Sequence, residues 1–212
     1  MKTQAERIDE LLATIPVLPV LVVEDEAYAL PLADALAAGG IGAIEITLRT
    51  PAALPAVARI AKERPAMIVG TGTVRSERDL LASMDAGAQF AVSPGLTTLL
   101  ATAAGQHMDE CPLLPGVATA SEAMRAEEAG FERLKFFPAE PAGGPGHIGA
   151  LAGPLPGLKF CPTGAITAEQ VGAYRALPNV FTVGGSWIAP KDKMAAGDWA
   201  GIEKLARHAA KL

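Results

Sequence analysis

The chain has 212 residues, half of them hydrophobic, with positive mean hydropathy; that suffices for one sizeable core and is short for two, so residues 1–212 read as a single domain. Its 18 basic and 23 acidic residues are scattered and leave a net charge of −5, which excludes the electrostatic footprint of a nucleic-acid or membrane-surface binder. The opening MKTQAERIDE is charged, and the apolar IPVLPVLVV is broken by prolines and too short to span a bilayer, so no signal peptide is expected and a cytoplasmic location is.

Residues 3–13 read as an amphipathic helix preceding the main fold. Strand-like and helix-like segments then alternate. IPVLPVLVV (15–23) is followed by AYALPLADALAAGG, and GAIEITL by a helix opened by Pro51. AMIVGTGTV precedes SERDLLASMDAG, where Ser76 and Asp79 resemble a capping box. AQFAVS precedes TTLLATAAG, and PLLPGV precedes TASEAMRAEEAG, with Thr119 and Glu122 as a capping-box pair. FERLKFF leads to a glycine-rich connection and a short helix near 147–152. LKFCP precedes TAEQVGAYRAL, capped by Thr167 and Gln170, and NVFTV precedes WAGIEKLARHAAKL.

Eight strands alternating with helices on short joints predict a parallel sheet with right-handed crossovers, closed as a (β/α)8 TIM barrel, the N-terminal helix covering its floor. The rival is an open doubly wound sheet, but no Gly-rich dinucleotide fingerprint follows the first strand. Cys111 and Cys161 each precede a proline and form no CxxC pair, and His107, His147 and His208 stand apart. No metal or cofactor is expected, the thiols should be reduced, and His147 reads as a solvated loop residue.

Alternation sorts the strand faces. In IEITLR, Ile44, Ile46 and Leu48 belong to the outer, helix-covered face, and Glu45, Thr47 and Arg49 point inward. In ERLKFF, Leu134 and Phe136 are outward, leaving Arg133, Lys135 and Phe137 inward; Thr71 and Thr73 share a face. Burial disfavours the charged form of an amine, and a neutral lysine attacks carbonyls to form Schiff bases. Lys135 therefore reads either as a catalytic amine or as the structural partner of an inward carboxylate such as Glu45. Glu45 in turn reads as a base or as a partner for Arg49 or Lys135, and Arg49 as a ligand or a surface residue. Together, an inward Lys, Glu, Arg and Thr at the C-terminal strand ends point to a site for an anionic carbonyl compound. PTGAIT (162–167) and VGGSW (183–187) follow the last two strands, where this fold commonly binds phosphate; Gly164, Gly184 and Gly185 permit close backbone approach, and Ser186 adds a hydroxyl. Ordinary turn glycines are the alternative.

The stretches ITLRT (46–50), VGTGTV (69–74), FAVSPGL (90–96), LPGVAT (114–119), KFFPAE (135–140), FCPTGAIT (160–167) and VGGSW (183–187) span nearly the whole chain. With them the chain resembles the 2-dehydro-3-deoxy-phosphogluconate (KDPG) / 4-hydroxy-2-oxoglutarate aldolase family. The resemblance implies a cytoplasmic, metal-independent class I aldolase (a lyase), a homotrimer of barrels. Its expected reaction is cleavage of a phosphorylated keto acid to pyruvate and glyceraldehyde 3-phosphate in the Entner–Doudoroff pathway of carbohydrate metabolism. It further implies Lys135 as the Schiff-base lysine, Glu45 as general acid/base, and Arg49 and Thr73 as carboxylate ligands. Pro94 and Phe137 would wall the pyruvyl carbon, and Gly164, Gly184, Gly185 and Ser186 would hold phosphate. Thr163 resembles the gluconate-type rather than the galactonate-type enzymes. One departure is Ala165, where many members have a second glycine; alanine is strained there if the backbone needs a positive φ. Alternative readings are an aldolase for 4-hydroxy-2-oxoglutarate or the galactonate epimer, a phosphosugar isomerase or epimerase using Glu45 without an imine, and a non-catalytic phosphate-binding barrel.

Overall fold

The first helix forms where its polar and apolar spacing places it. In the computed structural model, which describes residues 2–212, α1 spans Gln4–Leu12 and is opened by a full capping box between Thr3 and Glu6. Its apolar stripe, Ile8 and Leu12, packs against Leu18, Ala43, Phe90, Val92, Leu114 and Cys161. Gln4 donates to the carbonyls of Leu113 and Arg133 and accepts from the N–H groups of Glu132 and Arg133. Arg133 makes a bidentate pair with Asp9, at 2.7 and 2.6 Å.

The strands are β1 (Val17–Leu21), β2 (Ala43–Thr47), β3 (Ile68–Gly72), β4 (Phe90–Val92), β5 (Leu113–Leu114), β6 (Gly116–Val117), β7 (Arg133–Phe136), β8 (Lys159–Pro162) and β9 (Val183–Gly185). The helices after α1 are α2 (Ala29–Ala38), α3 (Ala53–Glu63), α4 (Glu77–Asp85), α5 (Thr98–Gln106), α6 (Ala120–Glu128), α7 (Gly144–Leu151), α8 (Val171–Arg175), α9 (Lys191–Ala195) and α10 (Trp199–Ala209). Every strand pairing is parallel, in the order β5-β4-β3-β2-β1-β9 and in a second ladder β6-β7-β8, giving an α/β fold with a curled parallel sheet. Parallel bridges Phe160↔Val180 and Thr163↔Gly184 link the second ladder to the segment leading into β9.

The expected strand PLLPGV is divided into β5 and β6 by Pro115, which has no N–H to give a ladder; its carbonyl still accepts from the Lys135 N–H at 2.9 Å. Alternation holds within β2 and β7. Ile44, Ile46, Leu134 and Phe136 join the large apolar layer between sheet and helices, while Glu45 and Lys135 point the other way. The capping boxes at Thr119/Glu122 and Thr167/Gln170 form. At Ser76 the hydroxyl accepts from the Asp79 N–H, but the Asp79 carboxylate reaches one residue further back, to the Arg75 N–H. His147 lies on α7, partly buried with its ring 5.3 Å from that of Phe136, rather than in a solvated loop.

Candidate active site

Strands β2 and β7 carry the central pair from opposite ladders. Lys135 is 6% and Glu45 1% exposed, and their Nζ and Oε1 atoms lie 3.3 Å apart. Burying two charges costs several kcal/mol per ion unless they are paired, so each fixes the other. Glycine makes the space: a Cβ at Gly72 of β3 would stand 2.8 Å from Cδ and 2.9 Å from Cγ of Glu45, and nearer still to Oε1. The Phe137 ring lies 5.5 Å from Lys135 Nζ. Cys161, beside Lys135 in the β7–β8 register, is no rival nucleophile, because burial pushes its thiol up to about 12.

Lys135 opens onto a cavity of about 390 Å³. Arg49, Phe137, Thr163, Gly164, Gly184 and Ser186 line it with Lys135, and Glu45 reaches it through its contact with that lysine. Thr73 is brought in through Arg49, whose Nε donates to its hydroxyl at 3.1 Å. The expectation that Thr71 and Thr73 share a face fails here. Thr71 donates to Ser83 on α4, in the helical layer, whereas Thr73 lies beyond the end of β3 with φ 63°, which breaks the alternation. A β-branched residue with positive φ is an outlier held by its surroundings.

Pro94 and Gly185 do not line the cavity. Pro94 is exposed past β4, with its backbone closely approached at Gly116. Gly185 faces the outer layer, where a Cβ would meet Val17 and Trp187. Gly184 faces inward, and a Cβ there would come within 2.9 Å of Thr163 Cγ2, so this glycine seats the Thr163 side chain. Ala165 has φ 60°, the left-handed conformation in which alanine is strained, and Gly164 has φ 113°.

Several lining residues carry no functional signal in the sequence. Val20, Leu21 and Val22 come from the end of β1, and Thr47 donates across to the Leu21 carbonyl at 2.9 Å. Ala189, Pro190, Lys191 and Met194 come from α9 and its approach. α9 was not anticipated, although Pro190 before it and left-handed Gly197 after it are the expected punctuation. Among the described residues no three His, Cys, Asp or Glu side chains cluster as metal ligands. A larger groove, about 660 Å³, lies between the start of α5 and α6 and contains Glu122 and Arg125, but Lys135 does not open onto it.

A family model described as KDPG and KHG aldolase matches residues 8–205. The chain is 47% identical over 209 residues to 2-dehydro-3-deoxy-phosphogluconate aldolase of Pseudomonas aeruginosa, covering 99% of this chain and 94% of the relative. It is 48% identical over 208 residues to the KHG/KDPG aldolase of Escherichia coli K12, covering 98% and 95%. Among solved structures it resembles KDPG aldolase from Legionella pneumophila, captured at low pH with pyruvate as a covalent carbinolamine intermediate. The TM-score is 0.90 at 43% identity, covering 93% of this chain and 95% of that one.

Proposed function

The chain belongs to the KDPG and KHG aldolase family, and from that premise we propose which of its residues perform the reaction. It is a class I aldolase, a lyase that cleaves 2-dehydro-3-deoxy-6-phosphogluconate to pyruvate and glyceraldehyde 3-phosphate in the Entner–Doudoroff pathway. The observation that carries the residue assignment is the buried Lys135–Glu45 pair at the cavity, 3.3 Å apart.

Glu45 takes a proton from Lys135, and the neutral amine attacks the C2 ketone of the substrate. Glu45 returns protons as the carbinolamine loses water, leaving a protonated imine. That cation accepts the electron pair of the C3–C4 bond when Glu45 removes the C4 hydroxyl proton. Glyceraldehyde 3-phosphate departs, and the remaining enamine is protonated at C3 and hydrolysed to pyruvate and free Lys135. Arg49 and Thr73 hold the carboxylate so that the ketone faces the amine. Phe137 walls the pyruvyl end. Gly164, Gly184 and Ser186 receive the phosphate, and Thr163 borders it. No metal or cofactor enters this scheme.

The test is borohydride reduction in the presence of pyruvate followed by peptide mass mapping. A reduced adduct on Lys135 is expected. No adduct in folded protein would overturn the imine mechanism and favour an isomerase or epimerase using Glu45 alone.

The same reading extends to architecture. Residues 1–212 form one domain, and its strands close as a (β/α)8 barrel. The bridges Phe160↔Val180 and Thr163↔Gly184 support closure on one side, and β5 and β6 on either side of Pro115 support it on the other. α1 then covers the floor. Three copies associate, as the family resemblance implies. The enzyme works in the cytoplasm; among the described residues no helix is long and apolar enough to cross a membrane.

A further inference from the structure

The substrate assigned above carries a carboxylate at one end and a phosphate dianion at the other. The cavity offers three cationic side chains among the described residues: Arg49, Lys135 and Lys191. Arg49 bonds Thr73 at the carboxylate end, and Lys135 forms the imine. We infer that Lys191 is a further substrate-binding residue, the cation that receives the phosphate, with Glu24 as its resting partner; the inference rests on the proposed function.

Lys191 opens α9 directly after Ala189 and Pro190, on the segment that leaves β9 through Gly184 and Ser186, and all five residues line the cavity. The buried Met194, also on the cavity wall, fixes α9 beneath it. Lys191 Nζ lies 2.7 Å from Glu24 Oε1, and Glu24 stands two residues past Val22, the last lining residue of the β1 segment. The ion pair thus joins the exits of β1 and β9 at the rim beside the proposed phosphate end. Its side chains are 65% and 54% exposed, so the ammonium can exchange partners without a large desolvation cost. A phosphate dianion carries more charge than a carboxylate and offers more acceptor oxygens, so the exchange favours the ligand. Glu24 is then a counterweight: it holds the lysine at the rim and competes with the phosphate for it.

The experiment compares kcat/KM on the phosphorylated keto acid with that on its unphosphorylated counterpart, 2-dehydro-3-deoxygluconate. The proteins are wild type, Lys191→Met, Glu24→Gln and Lys193→Met, the last a charge control whose lysine pairs with Asp198 and does not line the cavity. The ratio should fall about ten-fold in Lys191→Met, mainly through KM, and rise about three-fold in Glu24→Gln. In Lys193→Met it should hold. An unchanged ratio in Lys191→Met overturns the assignment, as does an equal fall in Lys193→Met, which would mark a net-charge effect. Calorimetric titration with inorganic phosphate reads the residue without turnover: Lys191→Met should bind more weakly, by a factor that shrinks as salt is added. Equal affinity, or no phosphate binding by wild type, overturns the assignment. A wild type that forms no pyruvate imine but loses phosphate affinity in Lys191→Met would refute the proposed reaction and uphold this site.

Discussion

Replacing Gly72 with alanine removes room rather than a reacting group. The new Cβ would stand 2.8 Å from Cδ and 2.9 Å from Cγ of Glu45, whereas carbon atoms settle at about 3.5–4.0 Å. The carboxyl group must therefore retreat by about 1 Å, and the 3.3 Å hydrogen bond from Lys135 is already at the long limit. A displacement of that size costs on the order of 10²-fold in rate, and complete loss of a positioned acid–base costs up to about 10⁴-fold. kcat of Gly72→Ala should then fall by about 10² to 10⁴, or about 3–5 kcal/mol of barrier. Gly72 has no left-handed backbone to forbid alanine, so the fold should survive at an overpacking cost of about 1–3 kcal/mol. Steady-state kinetics read the first number and urea unfolding the second. A double-mutant cycle with Glu45→Gln should show strong non-additivity, because both changes disable one group. A folded Gly72→Ala enzyme with kcat within three-fold of wild type would refute the reasoning that this glycine seats the base.

Three other outcomes follow from the geometry. Ala165→Gly relieves a left-handed alanine worth about 1–2 kcal/mol, and the extra freedom of glycine in the unfolded chain returns about 0.4–1, so thermal melting should rise by roughly 2 °C; a fall would show that Ala165 is unstrained. Lys135→Met should abolish pyruvate trapping and leave the buried Glu45 carboxylate unpaired. Its urea stability at neutral pH should drop by about 3–5 kcal/mol, and the Lys135→Met/Glu45→Gln double variant should recover much of that. Glu122 accepts from the Ala118 and Thr119 N–H groups, and these bonds, Ala118's first, hold its carboxyl below the ordinary value. A depressed folded-state value means stability that is present above the unfolded one and lost as pH falls through the folded one. Glu122→Gln should therefore lower the melting temperature at pH 7, and the gap should close below about pH 4.

The residues that alternation governs were legible from the chain. Ile44 and Ile46 against Glu45 and Thr47, and Leu134 and Phe136 against Lys135, follow from a period of two and a helix-covered outer face. The caps at Thr119 and Thr167 are local chemistry and equally readable. What escaped depends on contacts distant in sequence or on elements too short to have a period. α9 has five residues, fewer than two helical turns, so no apolar stripe announces it. Thr73 adopts a conformation its own side chain disfavours, which only its surroundings can impose. Gly184 and Gly185 are identical letters with opposite duties, since one faces Thr163 and its neighbour faces Val17 and Trp187.

The two ends of the strands are also finished differently. At the N-terminal ends α1 satisfies what it covers: the Gln4 amide meets four backbone groups, Arg133 is paired through two nitrogens with Asp9, and Ile8 and Leu12 are fully buried. At the C-terminal ends the donors are only partly used. Among the described residues Arg49 engages one of its five N–H groups, with Thr73, and the Lys135 ammonium has one side-chain acceptor for its three protons. Both non-glycine residues with positive φ among the described residues, Thr73 and Ala165, lie at that same end. Strain and unfilled donors are costs that a purely structural sheet end would shed, and substrate binding can recover them. In the proposed reaction a carboxylate laid against Arg49 and Thr73 fills the first set, and a carbonyl carbon within reach of Lys135 uses the second. The packed base supplies the rigidity that keeps these groups aimed while they wait.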